Sequence, residues 1–222
     1  IFKYQNWIDI DQKKGHPTLI YDYAKQNNLN LPTYELYLKR GQFDIIVKDF
    51  IEFYSGDINK PLERKHVKQL FNRTIYGGGF KGWIYEMENG SAEKDLKGNP
   101  IIENERMIWK SEPIELKNKD IQMQMYQGFY KETQHIIDLV YLNNFDIKEK
   151  VCKTIKGDES EDWRRKSRVM SYFCGVVENE LTYQAMKYFE KNDLIKPRHL
   201  DWGLDGLTIP QFKTDDYDNQ FY

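Results

Sequence analysis

Arg64 and Lys68, four residues apart, and Tyr76, eight residues further on, are the side chains of this sequence best placed to do chemistry together. The run Arg64 to Gly77, RKHVKQLFNRTIYG, predicts a helix covering roughly Pro61 to Ile75. On a helix, residues i and i+4 share a face, and position 76 returns to the face of Lys68 two turns later. Such a face offers two fixed cations to a polyphosphate and a phenol to a base or sugar. Gly77, Gly78 and Gly79 would stop the helix, as they would stop an ordinary basic amphipathic helix with the same letters.

The elements that must position these residues come from one chain of 222 residues, enough for a large domain or a core with an appended subdomain. Lys and Arg total 33 against 35 Asp and Glu, a net charge of −2, which excludes a uniformly basic nucleic-acid binder but not local basic patches. Cys152 and Cys174 fit neither a metal spacing nor a disulfide framework, so a reducing, cytoplasmic setting is expected. Mean hydropathy is −0.79, with no apolar run of membrane-spanning length and no signal peptide. The chain starts at Ile1 rather than Met, as a fragment or processed chain would. Sixteen Tyr and twelve Phe suit either an aromatic core or a base-stacking surface.

Phe2 to Asp11 reads as a strand with Ile8 and Ile10 on one face and Trp7, Asp9 and Asp11 on the other. Pro17 suits the start of a helix to about Asn28, and short helices follow over Thr33–Arg40 and Gln42–Tyr54. WIYEME and ERMIW read as strands around a polar turn-rich segment, an exposed hairpin between Trp83 and Trp109. Helices are expected over Asp120–Asn143, Asp146–Ile155 and Ser160–Lys191. Arg198–Pro210 reads as two strands joined at a tight turn around Asp205. The Gly-rich run 77–82 follows a helix and lacks a Lys-Ser/Thr ending, so it is not a triphosphatase phosphate loop. His16, His66, His135 and His199 have no zinc spacing.

Transfer to a nucleotide requires carboxylates that hold two divalent metals and cations for the leaving pyrophosphate. Asp11 closes the first strand and Asp205 sits at the late hairpin turn, with Asp9 in reserve. Taken singly, each suits a blander role, a polar edge strand or an Asp-Gly turn. Their order with the basic helix is the more specific signal.

That order, strand-Asp, basic helix ending in Tyr-Gly, then hairpin-Asp, resembles family A DNA polymerases and the related single-subunit phage-type RNA polymerases. The resemblance runs from Asp11 to Asp205 through the R-x3-K-x7-Y-G spacing. It implies an α+β fold, a small antiparallel palm sheet with a largely helical fingers region. The implied domains are palm 1–31, fingers 32–145 with a hairpin insertion near 83–110, and palm 146–222. Asp11 and Asp205, with Asp9, would hold two Mg²⁺. Arg64 and Lys68 would grip the incoming triphosphate, with Tyr76 and Gly77 at the insertion pocket. His16 stands five residues after Asp11, where the family has a sugar-gating Glu. The helix before the last motif would contact primer-template DNA through Arg164, Arg165, Lys166, Arg168, Glu178 and Asn179. Thumb and exonuclease regions would belong to other domains or chains. The expected activity is DNA polymerisation from dNTPs. The alternatives are an RNA polymerase or primase of the same architecture and a non-catalytic nucleic-acid-binding module. The Lys, Asn, Ile and Tyr richness suits a phage, virus or plasmid origin.

Overall fold

Phe43, Ile46, Val47, Phe50 and Tyr54 recur at helical spacing, and all five are buried. This pattern repeats along most of the chain, because stripes at i, i+3, i+4 and i+7 place apolar residues on one helical face. The computed structural model describes residues 7–11, 15–57, 59–92, 102–103, 106–107, 109–154, 162–192, 201–202 and 206–210. In chain order the elements are β1 (Trp7–Asp11), α1 (Gly15–Gln26), α2 (Pro32–Leu38), α3 (Gln42–Tyr54), α4 (Arg64–Ile75) and α5 (Phe80–Asn89). There follow β2 (Ser91–Ala92), β3 (Ile102–Glu103), β4 (Arg106–Met107), β5 (Trp109–Ser111), α6 (Gln124–Asn143), α7 (Phe145–Thr154), α8 (Asp162–Lys191), β6 (Asp201–Trp202) and β7 (Gly206–Pro210).

The chain divides into two compact units, Ile20–Phe173 and Ile1–Leu19 with Cys174–Tyr222, whose boundaries fall inside α1 and α8. In the larger unit α2 packs on α6 and α3, and α4 packs on α3, α5 and α6. An aromatic cluster fills the space between them. Phe71 of α4 meets Tyr37, Phe43, Phe50, Tyr126 and Phe129 at ring separations between 4.8 and 6.0 Å. Much of the aromatic wealth of the sequence is thus core, with Tyr34, Tyr54, Tyr126, Phe50, Phe71, Phe129 and Trp83 fully buried. Burial pushes the Tyr37 and Tyr126 phenols up to about 12.

Helix α2 starts at Pro32 with Leu31 as an N-cap that supplies no side-chain acceptor. The Glu132 carboxylate of α6 takes over that task, accepting from the backbone N–H groups of Thr33 at 3.0 Å and Tyr34 at 2.7 Å. A distant carboxylate therefore satisfies donors that every helix start leaves unpaired, and it suits the positive end of the helix dipole.

The expected α+β class, with a small antiparallel palm sheet, is corrected to a mostly helical fold. The body of the fold is helix packed on helix, α2 on α3 and α6 and α4 on α3, α5 and α6. The strands run for two to five residues and pair as short antiparallel ribbons: β1-β7-β6, β2-β5 and β3-β4. Part of the expected hairpin is also corrected, because Phe80–Asn89 is α5. Phe80, Trp83 and Met87 are its buried stripe, spaced as a helix requires. Aromatic and branched residues in WIYEME suit a strand by type, but burial against α4 decided the period.

Candidate functional site

Helix α4 begins at Arg64 because Glu63 and His66 close a capping box: the Glu63 side chain accepts from the His66 backbone N–H, and the Glu63 backbone N–H donates to His66 Nδ1 at 3.0 Å. His66 is buried, and its backbone carbonyl accepts from Trp83 Nε1 at 2.9 Å, tying α5 to the first turn of α4. Burial, aided by Lys65, lowers the His66 imidazole below its usual range. At the other end Gly77 adopts φ +82°, and the N–H groups of Gly77 and Gly78 donate to the carbonyls of Thr74 and Arg73, both at 2.9 Å. A left-handed glycine closing the last carbonyls is the usual device for ending a helix.

The face turned away from the aromatic core borders a hollow of about 490 Å³, lined by Lys65, Lys68, Gln69, Asn72, Arg73 and Tyr76 of the α4 segment and Glu86 of α5. Lys68 is exposed and has no ion-pair partner among the described residues. Lys65 pairs with Glu63 at 2.9 Å, and the Arg73 guanidinium bonds the Glu86 carboxylate. Gln69 Nε2 donates to the second Glu86 oxygen at 3.1 Å. The three cations and one carboxylate that line the hollow leave it net positive, so it favours anions. Tyr76, half-buried at the C-cap, accepts through its backbone carbonyl from Ser167 Oγ on α8.

Arg64 turns elsewhere. Its Nε donates to Asp44 on α3 at 3.0 Å, and its guanidinium lies 5.2 Å from the Phe43 ring centre. The structure therefore brings Lys68 and Tyr76 to one hollow with Lys65, Gln69, Asn72 and Arg73, while Arg64 turns to Asp44 on α3. Periodicity at i+3 and i+4 from Lys65 would have found Gln69, Asn72 and Tyr76. Glu86 has no local signal, because only the packing of α5 on α4 brings it there.

On α8, Lys166 is held by Asp138 at 2.9 Å and Asp162 at 3.1 Å, with Tyr141 beneath it at 5.8 Å. Arg164 stacks over Trp163 at 5.3 Å, Arg165 is half-buried, and Arg168 is exposed. In the smaller unit, His16 Nε2 meets Glu178 Oε2 at 2.8 Å, joining two sequence-selected residues 162 positions apart. Asn179 is exposed on α8. Asp9 and Asp11 lie on β1, whose register pairs them with Thr208 and Gly206 of β7. Asp205 lies outside the described residues. Among the described residues no group of three or more His, Cys, Asp or Glu side chains gathers to hold a metal.

Comparison with known proteins adds one partial likeness. The chain is 29% identical over 96 residues to a Sputnik virophage protein named "Putative helicase V13", covering 43% of this chain and 11% of that protein. The match therefore spans about a tenth of the relative's length. No family model matches the chain, and no solved structure matches it. No helix among the described residues is long and apolar enough to cross a membrane.

Proposed function

We propose that this chain is the nucleotide-handling core of a template-directed nucleotidyl transferase, a DNA polymerase that adds dNTPs to a primer 3′ end. The observation that carries the reading is the α4 hollow, where Lys68 has no counter-ion among the described residues and shares a wall with Asn72 and Tyr76. A lysine there serves as a point charge for the triphosphate, and Tyr76 borders the place for base or sugar. Helix α4 is well suited to hold them, because its opposite face is anchored in the aromatic core by Val67, Leu70, Phe71 and Ile75. Arg64, held by Asp44, sets the edge of the site and would reach phosphate only by leaving that partner.

Asp11 and Asp205, hard oxygen donors of the kind Mg²⁺ takes, would hold a pair of these ions, which supply charge to activate a 3′-hydroxyl and to neutralise pyrophosphate. The exposed Arg164 and Arg168 of α8 would meet the phosphates of primer-template DNA. His16, held by Glu178, would stand beside the sugar. Its difference from the family's Glu keeps an RNA polymerase or primase as the second reading. The setting would be cytoplasmic, in a phage, virus or plasmid system.

The virophage relative's name suggests a competing activity, strand separation. A triphosphatase would need a strand-borne phosphate loop, whereas the glycines at 77–79 follow the end of helix α4, and Gly78 and Gly82 lie against the Arg73 side chain. Primer extension with dNTPs against rNTPs, with and without Mg²⁺, tests the proposal. Extension with dNTPs that Lys68→Ala suppresses supports it. Extension with rNTPs promotes the second reading, and no extension with either, alongside nucleotide-driven strand separation, would replace both.

A further inference from the structure

Arg73 is held in a way that an ordinary surface ion pair is not. Its side chain runs across Gly78 and Gly82: a Cβ at Gly82 would stand 2.6 Å from Nη2, and a Cβ at Gly78 would collide with Cγ. The two glycines thus form a track along which the Arg73 side chain lies, and a Cβ at either would make it shift. At its end the guanidinium gives one N–H to Glu86, while Nε–H is buried without an acceptor among the described residues. A buried donor without a partner is rare in native structures and calls for a reason. Glu86 is in turn gripped from two sides, by Arg73 and by Gln69. All three line the same hollow as Lys68 and Tyr76.

We propose that Arg73 is a further polyphosphate ligand of this hollow and that Glu86 is its internal competitor, a carboxylate that the triphosphate of a nucleotide displaces. The inference rests on the reading of the hollow as a nucleotide site. A phosphate group carries more charge and more acceptor oxygens than a carboxylate and takes the guanidinium fork in two-point fashion. In exchange it would satisfy donors that Glu86 leaves unmade. Glu86 in the meantime keeps Arg73 extended along the glycine track and lowers the charge of the empty hollow. The consequence is that the two partners of one ion pair have opposite effects on ligand affinity. Removing Arg73 weakens binding, and neutralising Glu86 strengthens it.

The test is titration calorimetry of the whole chain with inorganic tripolyphosphate, at fixed salt, on the wild type and on Lys68→Ala, Arg73→Lys, Arg73→Gln and Glu86→Gln. Glu86→Gln keeps the shape and hydrogen-bonding reach of the side chain, so it serves even if Arg73→Gln fails to fold in thermal melting. The expected results are a weakening of about tenfold for Arg73→Gln, less for Arg73→Lys, and a tightening of roughly threefold to tenfold for Glu86→Gln. Combined with Arg73→Gln, the Glu86 change should have no tightening effect. Unchanged or weaker binding in Glu86→Gln overturns the proposal, as does unchanged binding in the folded Arg73 variants. If Lys68→Ala weakens binding while these variants do not, this inference alone falls. If the wild type binds no tripolyphosphate, the nucleotide reading falls with it. A parallel titration with single-stranded DNA separates the phosphate sources. A Glu86→Gln effect larger for DNA than for tripolyphosphate would assign Arg73 to the strand and overturn the triphosphate role.

Discussion

The α4 hollow and the first turns of α8 have similar basic content but different electrostatic states. In the hollow, Lys68 faces open space without an acidic partner among the described residues. On α8, Lys166 is clamped between Asp138 and Asp162, and these partners raise its ammonium above the usual lysine range. A cation clamped between two carboxylates gains little from a further anion, since it must give up both contacts, whereas Arg73 has Glu86 alone and an Nε–H without an acceptor among the described residues. Counting Lys and Arg in a sequence run therefore overstates one region and understates the other. What distinguishes them is Asp138, remote from Lys166 in the chain, which joins Asp162 one helical turn away.

Four changes probe that contrast, the first with the largest effect expected. Lys68→Ala should reduce kcat/KM for nucleotide incorporation by roughly tenfold to a hundredfold, the loss of one charge-assisted contact. Lys166→Ala should change it less than about twofold, so steady-state kinetics on the two variants test the contrast directly. Equal losses in both would erase it.

Gly77→Ala should destabilise the fold by about 1–2 kcal/mol, because the residue sits at φ +82°. The added Cβ would also lie 3.3 Å from the Ser167 Cβ of α8, so denaturant midpoints should fall without a change in slope. The change would also disturb Tyr76, whose carbonyl is bonded to Ser167. A stability matching wild type would mean that the αL cap is dispensable.

His66 sharpens the comparison through pH. Its folded-state pKa is lowered, by burial first and then by Lys65, so the folded protein holds the neutral ring that accepts the Glu63 N–H. The stabilising contribution is complete above the unfolded value of about 6.5 and is lost as pH falls from there through the depressed folded value. Thermal melts between pH 8 and 5 should show this loss in the wild type and a reduced loss in His66→Gln. Equal pH profiles would remove His66 from the account. The smallest effect belongs to Lys166→Ala on stability, within about 1 kcal/mol, because its ion pairs are largely solvent-exposed.

Helix α4 was legible because its signals are local. Apolar Val67, Leu70, Phe71 and Ile75 repeat at helical spacing, and three glycines follow. Helix α3 was legible for the same reason, with both boundaries at Gln42 and Tyr54. Helix α5 was not, since aromatic and branched residues fit a strand equally well until packing on α4 selects the helical stripe. The palm sheet expected from motif order fell to the helical packing of the body, because motif order constrains sequence position and not which elements share a core.

The sequence by itself determined the basic amphipathic helix, its glycine stop and the placing of Lys68 and Tyr76 on one side, since all of these follow from the 3.6-residue period and from φ preferences of single residues. Only the tertiary structure decided which cations keep their charge available. It gave Asp44 to Arg64, Asp138 to Lys166 and Glu86 to Arg73, and left Lys68 facing the hollow. The reason is physical: Coulomb attraction depends on distance in space, and helices remote in sequence set that distance when their apolar faces pack.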